Sequence, residues 1–274
     1  MTAAVDTESG SAGSAGGAVS AGVTTVAAKA AVRLSKVSKT FRDGGAPVLD
    51  GIDLAVAPGE FVCLLGASGC GKSTLLSLIA GLDKPSGGSV EVPSGRAALM
   101  FQESALFPWL TAGQNIDLAL RMRGLSGRRE RRAEAERLLD LVRLSGSYDK
   151  RPHQLSGGMR QRVALARSLA QDSRVLLMDE PFAALDAITR DVLHEEIIRL
   201  WEATGLAVVF VTHNVREAVR LGQRVVLLSS RPGRVAREWQ VDIPQPRRVE
   251  DKAVADLSVE ITDHLRAEIS RHGR

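Results

Sequence analysis

The sequence predicts an α/β fold in which helices flank a parallel β-sheet. Five short runs are apolar at nearly every position, namely residues 60–65, 97–101, 175–178, 207–211 and 225–228. Strands buried on both faces have this composition, whereas strands with one wet face alternate apolar and polar residues. Helical patterns lie between the runs, as in α/β proteins. With 274 residues, 44% hydrophobic and 25% charged, the chain is long enough for one large domain.

The first 30 residues have a composition of their own. Residues 1–30 are rich in Ala, Gly and Ser, and no basic residue precedes Lys29. A secretory signal begins with a positive region and continues into an apolar block. We therefore predict a disordered tail here.

Charge, hydropathy and cysteine content leave several functions open. No run approaches the roughly 18 apolar residues that cross a bilayer, so a membrane role would require another chain to span it. The net charge of +4 is spread along the sequence and does not select a partner. Because Cys63 and Cys70 lie so close together, a disulfide would distort the loop between them, and we predict free thiols in a reducing compartment.

A polar, arginine-rich stretch interrupts the strand pattern at about residues 110–165. Apolar positions 138, 139, 141 and 142 recur at helical spacing, which predicts an inserted helical subdomain. The basic run 128–132 fits either a nucleic-acid patch or a solvated helix face. Interleaved glutamates and the lack of aromatic residues favour the solvated face.

The C-terminal extension, residues 236–274, begins irregularly and then becomes periodic. Five apolar residues recur every three or four positions: Val254, Leu257, Ile261, Leu265 and Ile269. This spacing predicts one amphipathic helix that packs on the main domain. The extension is too short for a separate regulatory domain.

A glycine-rich loop, GASGCGKST, follows the first buried run and precedes a helical stretch. Its glycines let backbone N–H groups surround phosphate oxygens, and the helix start adds a favourable dipole. We expect Lys72 to hold the β- and γ-phosphates and Ser73 to bind Mg²⁺. The candidate nucleotide contacts are Gly66, Ala67, Ser68, Gly69, Cys70, Gly71, Lys72, Ser73 and Thr74. A chance lysine in a glycine-rich turn is the alternative.

Two acidic residues end the buried run VLLMDE. Sites in open parallel sheets form at the carboxyl ends of strands, so we expect this pair beside the glycine loop. Asp179 would then reach Mg²⁺, and Glu180 would polarise an attacking water. A strand that simply ends in a surface turn is the alternative.

A second candidate phosphate site is LSGGM, residues 155–159, which precedes the helical run RQRVALARSLA. Ser156, Gly157 and Gly158 stand at the start of that helix, where backbone donors and the helix dipole favour an anion. One chain thus carries two helix starts suited to phosphate.

These motifs, in this order, resemble those of the ABC-transporter ATPase family, whose LSGGQ signature appears here as LSGGM. The resemblance covers roughly residues 32–235. It implies an ABC ATPase domain over residues 31–235, with a P-loop NTPase parallel-sheet core and the helical subdomain inserted in it. It also implies that two copies pair head to tail, each ATP lying between one copy's glycine loop and the other's signature.

The resemblance implies further roles residue by residue. Phe41 stands where the family has an adenine-stacking aromatic, more often Tyr, although a buried hydrophobic staple is the alternative. Gln102 resembles the glutamine that contacts Mg²⁺ and water. Asp186 resembles the residue that couples the two sites, although a helix N-cap is equally physical. His213 resembles the histidine that contacts the γ-phosphate, with Asn214 following where Asp is usual. The catalytic set is then Glu180, His213, Gln102 and Lys72.

The segment ESALFPWLT, residues 103–111, together with SSRPGRV is similar to ATPases of the nitrate, taurine and aliphatic-sulfonate import group. This similarity implies an ATPase that energises uptake of a small anion. Its partners would be a second copy, an integral membrane permease and, indirectly, an extracytoplasmic solute-binding protein. It would be peripheral, on the cytoplasmic face of the membrane, and would bind no nucleic acid. An ABC ATPase for another solute, an exporter, and a cassette acting on nucleic acid are the alternatives.

Overall fold

The structure is a computed structural model that describes residues 30–41 and 44–271. The strands are β1 Val32–Lys39, β2 Leu49–Val56, β3 Phe61–Leu65, β4 Gly87–Glu91, β5 Ala98–Met100, β6 Val175–Asp179, β7 Ala207–Val211, β8 Arg224–Leu228 and β9 Val235–Gln240. The helices are α1 Lys72–Ile79, α2 Ala112–Arg123, α3 Arg128–Leu141, α4 Gly157–Leu169, α5 Ala187–Thr204, α6 Val215–Leu221 and α7 Lys252–Arg271, with a 3₁₀ turn at Pro152–Gln154. Apart from Ala30, the predicted disordered tail lies outside the described residues.

The main sheet has six strands in the order β5-β6-β7-β3-β8-β9. The first five are mutually parallel, and they are the five apolar runs that the sequence indicates. Only β9, at the edge, runs antiparallel to its neighbour β8. The predicted α/β fold with a parallel sheet is confirmed.

Each central strand is apolar throughout because the sheet packs on both faces. In β3, Phe61, Cys63 and Leu65 join the core formed with helices α2 to α7. The alternate residues Val62 and Leu64 face a second core, formed with α1 and a smaller sheet. The strand therefore buries side chains in both directions, as the absence of alternation predicts.

The smaller sheet, with strand order β2-β1-β4, is antiparallel and was not predicted. Its alternation is broken by shifts in register between Leu34 and Val37. Lys36 lies there with φ of 48°, and Gly51 interrupts β2 with φ of 63°. Each irregularity displaces the apolar positions by one residue, so the two-residue period disappears from the sequence.

The arginine-rich insertion forms helices α2 and α3, and α2 has a capped start and a glycine end. Thr111 and Gln114 form a reciprocal capping box at α2, and Gly124 ends that helix in the left-handed conformation. On α3, Leu138 and Leu139 are buried, whereas Leu141 is exposed. In the basic run 128–132, every residue except Arg131 is exposed, which agrees with a solvated face. Arg131 is partly buried, and its Nε atom donates to Asp117 on α2 at 2.8 Å.

The extension after residue 235 begins with β9, which was not predicted, and ends with α7. Val254 and Ile261 are buried as predicted, but Ile269 is 48% exposed, so its predicted packing is wrong. The irregular stretch between the two elements is fixed by buried Arg247. Its guanidinium donates to four backbone carbonyls: those of Val219, Gly222, Val241 and Ile243. Within residues 30–41 and 44–271, no helix is long and apolar enough to span a membrane.

Candidate functional site

The glycine loop connects β3 to α1, and its backbone has little room for side chains. Gly71, the N-cap of α1, has φ of 104°, and a Cβ atom there would lie 2.6 Å from Leu49 Cδ2. A Cβ atom at Gly66 would lie 2.7 Å from the Sγ atom of Cys70. Both positions therefore require glycine, because a side chain would displace the loop.

Lys72, the first residue of α1, is 7% exposed. Its Nζ atom donates to the carbonyl oxygens of Gly66 at 2.9 Å and Ala67 at 3.1 Å. The loop and the helix thus hold a buried ammonium group beside several backbone N–H groups. This combination of donors suits a polyphosphate.

A cavity of about 690 Å³ opens beside the loop, within the size range of ligand sites. Ten predicted site residues line it: Phe41, Ser68, Gly69, Gly71, Lys72, Ser73, Thr74, Gln102, Asp179 and Glu180. Two residues that were not predicted, Val48 and Arg231, also line it. The other predicted residues do not line it: Gly66, Ala67 and Cys70 of the glycine loop, Ser156, Gly157 and Gly158 of the signature, Asp186 and His213.

The two acids lie at the carboxyl end of β6. Burial raises the pKa of Asp179, and the negative charge of Glu180 adds to the increase, while the Ser73 hydroxyl and Lys72 oppose it. Glu180 has φ of 43°, and its N–H donates to the carbonyl of Val211 at 3.0 Å. A left-handed conformation costs a non-glycine residue about 1–2 kcal/mol. Strain of this kind is typical of functional positions.

His213 follows β7, the neighbour of β6. Its Nδ1 atom lies 2.9 Å from Oε2 of Glu180. The histidine side chain is 66% exposed and that of Glu180 is 22% exposed, so this pair links the cavity wall to the surface. The structure thus brings together two residues that are separated by 33 positions in the sequence.

A buried polar network that was not predicted lies behind His213. The Thr212 hydroxyl donates to Glu217, and Nε2 of His194 lies 2.5 Å from the other oxygen of the same carboxylate. Asn214 caps α6 by accepting from the N–H groups of Arg216 and Glu217. Sequence could not reveal the network, because His194 lies on a different helix, α5.

The signature residues lie outside the cavity. Ser156 caps α4 and accepts from the N–H of Met159 at 3.2 Å. A Cβ atom at Gly158 would lie 2.6 Å from Thr189 on α5, whereas Gly157 has ordinary contacts. None of the three residues lines the cavity beside the same chain's glycine loop.

Asp186 acts as the N-cap of α5. Its carboxylate accepts from the N–H of Thr189 at 2.9 Å, and this hydrogen bond lowers its pKa. The capping role expected from the sequence is therefore present. Phe41 is 62% exposed, and the ammonium of Lys39 lies 5.1 Å from its ring centroid. The alternative role of Phe41 as a buried staple is wrong.

The segment after Gln102 is held by the helix that carries the signature. Gln161 on α4 donates to the carbonyl of Gln102 at 2.8 Å. Arg167, one turn and a half further along, donates to the carbonyls of Ser104 and Ala105. Neither side chain was predicted as functional, although both lie in the helical run that follows LSGGM.

A hard cation fits the oxygen atoms that converge here. The hydroxyl of Ser73, the carboxylate of Asp179 and the amide of Gln102 line one cavity. Such donors, few in number, suit Mg²⁺, which keeps waters and takes further ligands from phosphates. Across the described part of the chain, no cluster of three or more His, Cys, Asp or Glu side chains forms a metal site by itself. Both cysteines are free thiols, as predicted, and both are buried.

Comparison with known proteins gives concordant matches. A family described as "ABC transporter" matches residues 49–183. The chain is similar to the nitrate import ATP-binding protein NrtD of Synechocystis sp., with 47% identity covering 78% of this chain and 83% of that protein. It is also similar to the taurine import ATP-binding protein TauB of Burkholderia pseudomallei, with 45% identity covering 78% and 85%.

Among solved structures, the chain is similar to the dimeric, post-hydrolysis state of the ATP-binding cassette MJ0796 bound to ADP and Pi. The TM-score is 0.69 at 35% identity, covering 78% of this chain and 100% of that one.

Proposed function

Because the chain belongs to the ABC transporter family of ATP-binding proteins, we propose that it is the ATP-hydrolysing subunit of an importer for a small anion. One observation carries the proposal. The glycine loop, three candidate Mg²⁺ ligands and Glu180 line a single cavity, while the signature lies outside it. The similar proteins NrtD and TauB are named for the import of nitrate and taurine, and we propose small anions of this kind as the transported solute.

The nucleotide binds along the glycine loop in this proposal. Backbone N–H groups of residues 66–74 and the ammonium of Lys72 hold the phosphates, and exposed Phe41 stacks on the adenine. Ser73, Asp179 and Gln102 hold Mg²⁺. When bound, that ion neutralises phosphate charge and orients the oxygens. It would also compensate the burial that disfavours the charged form of Asp179.

Hydrolysis is phosphoryl transfer to water. Glu180 orients the attacking water, and His213 holds the Glu180 carboxylate through the 2.9 Å contact. Lys72 stabilises the charge that accumulates on the transferred phosphoryl group. Lys72 and Glu180 are already held in place by hydrogen bonds, so they need not reorient during the reaction. This supports the roles proposed for them.

A second copy of the chain completes the site. At the start of α4, Ser156 is exposed, Gly157 is partly exposed and Gly158 is buried. Their backbone N–H groups are available for a second copy, because none of the three lines this chain's cavity. In a head-to-tail pair, these donors contact the γ-phosphate bound by the other copy. ATP binding then closes the pair and hydrolysis opens it, and Asp186, which caps the neighbouring helix α5, couples the two sites.

The membrane partner is an integral permease, with an extracytoplasmic solute-binding protein as indirect partner. Trp109 is 67% exposed, and its ring centroid lies 5.4 Å from that of Phe107. Buried Asn115 fixes this loop through bonds to both backbone groups of Phe107. A rigid, exposed aromatic pair is suited to an interface. The protein therefore lies at the cytoplasmic face of the membrane in this proposal.

Equilibrium binding of ATP and steady-state hydrolysis test the proposal. We expect Lys72→Ala to lose nucleotide binding or turnover, because the buried ammonium is removed from the loop. The exposed Lys252, on α7, provides a matched control, since Lys252→Ala removes the same charge far from the cavity. Unchanged hydrolysis in Lys72→Ala would overturn the proposal.

A further inference from the structure

The turn after β8 packs directly on the glycine loop. A Cβ atom at Gly233 would lie 2.2 Å from the carbonyl oxygen of Cys70, so the two backbones touch. Gly233 is also held from the other side, because its N–H donates to Val48 at 2.8 Å and its carbonyl accepts from Asp50 at 3.0 Å. The position of this turn relative to the glycine loop is therefore fixed.

The turn itself, residues 229–234, is internally bonded. The hydroxyl of Ser229 donates to the carbonyl of Pro232 at 2.8 Å and accepts from the N–H of Arg234 at 3.0 Å. The N–H of Ser229 donates to the carbonyl of Arg234 at 2.9 Å. A side chain on this turn is thus presented to the glycine loop by a stable backbone.

Arg231 is the side chain so presented. Its Nε atom donates to the carbonyl of Gly69 at 2.9 Å, in the middle of the glycine loop. It lines the cavity together with Phe41, Ser68 and Lys72. Arg231 lies 159 positions after Lys72 in the sequence. The sequence of the glycine loop therefore gives no sign of this contact.

The charge of Arg231 has no acidic partner in the described part of the chain. Within residues 30–41 and 44–271, no carboxylate forms an ion pair with it, and its two Nη atoms make no hydrogen bond. Arg234, three residues further on, differs because it pairs with Asp50. A fixed guanidinium with four spare N–H groups at the edge of a phosphate loop has the donor geometry that phosphate oxygens accept.

We propose that Arg231 is a nucleotide-binding residue whose Nη groups donate hydrogen bonds to the phosphates of ATP. The assignment rests on the proposed ATPase function. Phosphate is favoured over the base because Nε is anchored to Gly69, within the loop that surrounds the phosphates, whereas Phe41 offers the aromatic face. Arg231 adds a second cation to that of Lys72 from a turn outside the glycine loop.

Binding of ATP and of inorganic tripolyphosphate, which lacks the base and ribose, tests this assignment. We expect Arg231→Ala to weaken both by about tenfold, the loss expected for a hydrogen bond to a charged group. Arg231→Lys retains the charge without the planar fork and should recover part of the loss. Arg234→Ala, a change of the same residue type in the same turn, should change either affinity by less than about twofold.

Two results would overturn the inference. One is unchanged affinity in Arg231→Ala, and the other is a loss for ATP with none for tripolyphosphate, which would place Arg231 on the base or ribose. Thermal unfolding without nucleotide should be unchanged, since Arg231 is exposed. If the unsubstituted chain binds ATP and Lys72→Ala does not, the proposed function stands whatever the outcome at Arg231.

Discussion

The Nδ1 atom of His213 lies 2.9 Å from the Oε2 atom of Glu180, across the ends of two adjacent parallel strands. Glu180 is the first residue after β6 and His213 the second after β7, so the pairing of these two strands brings the side chains together. The backbone of Glu180 also bonds to Val211 on β7. Carboxylate and imidazole are therefore held from the main chain, and this arrangement leads to the first prediction.

Glu180→Gln should retain ATP binding and lose most hydrolysis. The amide keeps the size of the side chain and a bond to His213 but cannot polarise water as a carboxylate does. ATP should consequently accumulate in a stable dimer, which gel filtration with ATP would detect. Glu202→Gln, on an exposed part of α5, is the matched control and should hydrolyse ATP normally. Full turnover in Glu180→Gln would exclude the proposed role.

Glu217→Ala should lower both stability and turnover. The Glu217 carboxylate is 8% exposed and binds both Thr212 and His194, so its removal leaves buried groups unpaired. We expect a loss of about 2–4 kcal/mol in the free energy of unfolding. Turnover should fall because Thr212 immediately precedes His213. Urea unfolding measures the first effect and steady-state hydrolysis the second.

The neighbouring Glu195 supplies the control for that prediction. Glu195 lies on α5 beside His194, but its side chain is 63% exposed. Among the described residues it forms long ion pairs, of 3.7 Å with Arg199 and 4.0 Å with Arg220. Glu195→Ala should therefore change the unfolding free energy by less than about 1 kcal/mol. Equal effects of the two substitutions would mean that the buried network contributes little.

The contrast between the two sheets explains what the sequence could predict. The parallel strands were identified because burial on both faces makes β3 apolar at every position. Strands β1 and β2 were missed because left-handed Lys36 and Gly51 break their alternation. Strand β9 was missed because it lies at the sheet edge, where only Trp239 is buried.

The candidate site follows the same division. Lys72, Ser73, Asp179 and Glu180 stand in contiguous motifs whose local pattern carries the chemistry. Arg231 and the pair formed by His194 and Glu217 reach their places only through tertiary packing. The segment SSRPGRV that contains Arg231 does not by itself indicate a phosphate contact, and His194 stands in no motif, so only the fold could reveal what these residues contact.

Mixing two inactive variants should restore ATP hydrolysis if the site lies between copies. Lys72→Ala damages the glycine loop, and Gly157→Asp places a carboxylate where the γ-phosphate is expected. A Cβ atom at Gly157 would meet Leu185 at 3.4 Å and the Nη2 atom of Arg160 at 3.9 Å, which are ordinary contacts. An acid in the first turn also favours the helix, so the variant should fold. In a mixed pair, the intact glycine loop of the Gly157→Asp copy meets the intact signature of the Lys72→Ala copy, which gives one complete site.

The mixture is compared with each variant alone at the same total concentration. Each should be inactive, and activity should appear only on mixing. Gly157→Ala adds the Cβ atom without charge and should remain active. This control distinguishes repulsion between the carboxylate introduced by Gly157→Asp and the phosphate from steric crowding by the added side chain. If the two variants form dimers but their mixture stays inactive, the site does not lie between the glycine loop of one copy and the signature of the other.

Trp109→Ala should weaken binding to the membrane partner without affecting ATP hydrolysis by the isolated chain. Trp109 is largely exposed beside Phe107, and it does not line the nucleotide cavity. Asn115 holds the backbone on both sides of Trp109 through bonds to Phe107 and Leu110, so the loop should keep its shape without the indole ring. Truncation of an exposed, preorganised indole at an interface costs about 2 kcal/mol or more of binding free energy.

Copurification of a multispanning permease from detergent-solubilised membranes measures the effect of Trp109→Ala. Val259→Ala, which removes an exposed apolar side chain on α7, is the control and should copurify normally. Undiminished recovery with Trp109→Ala would place the membrane contact elsewhere on the chain.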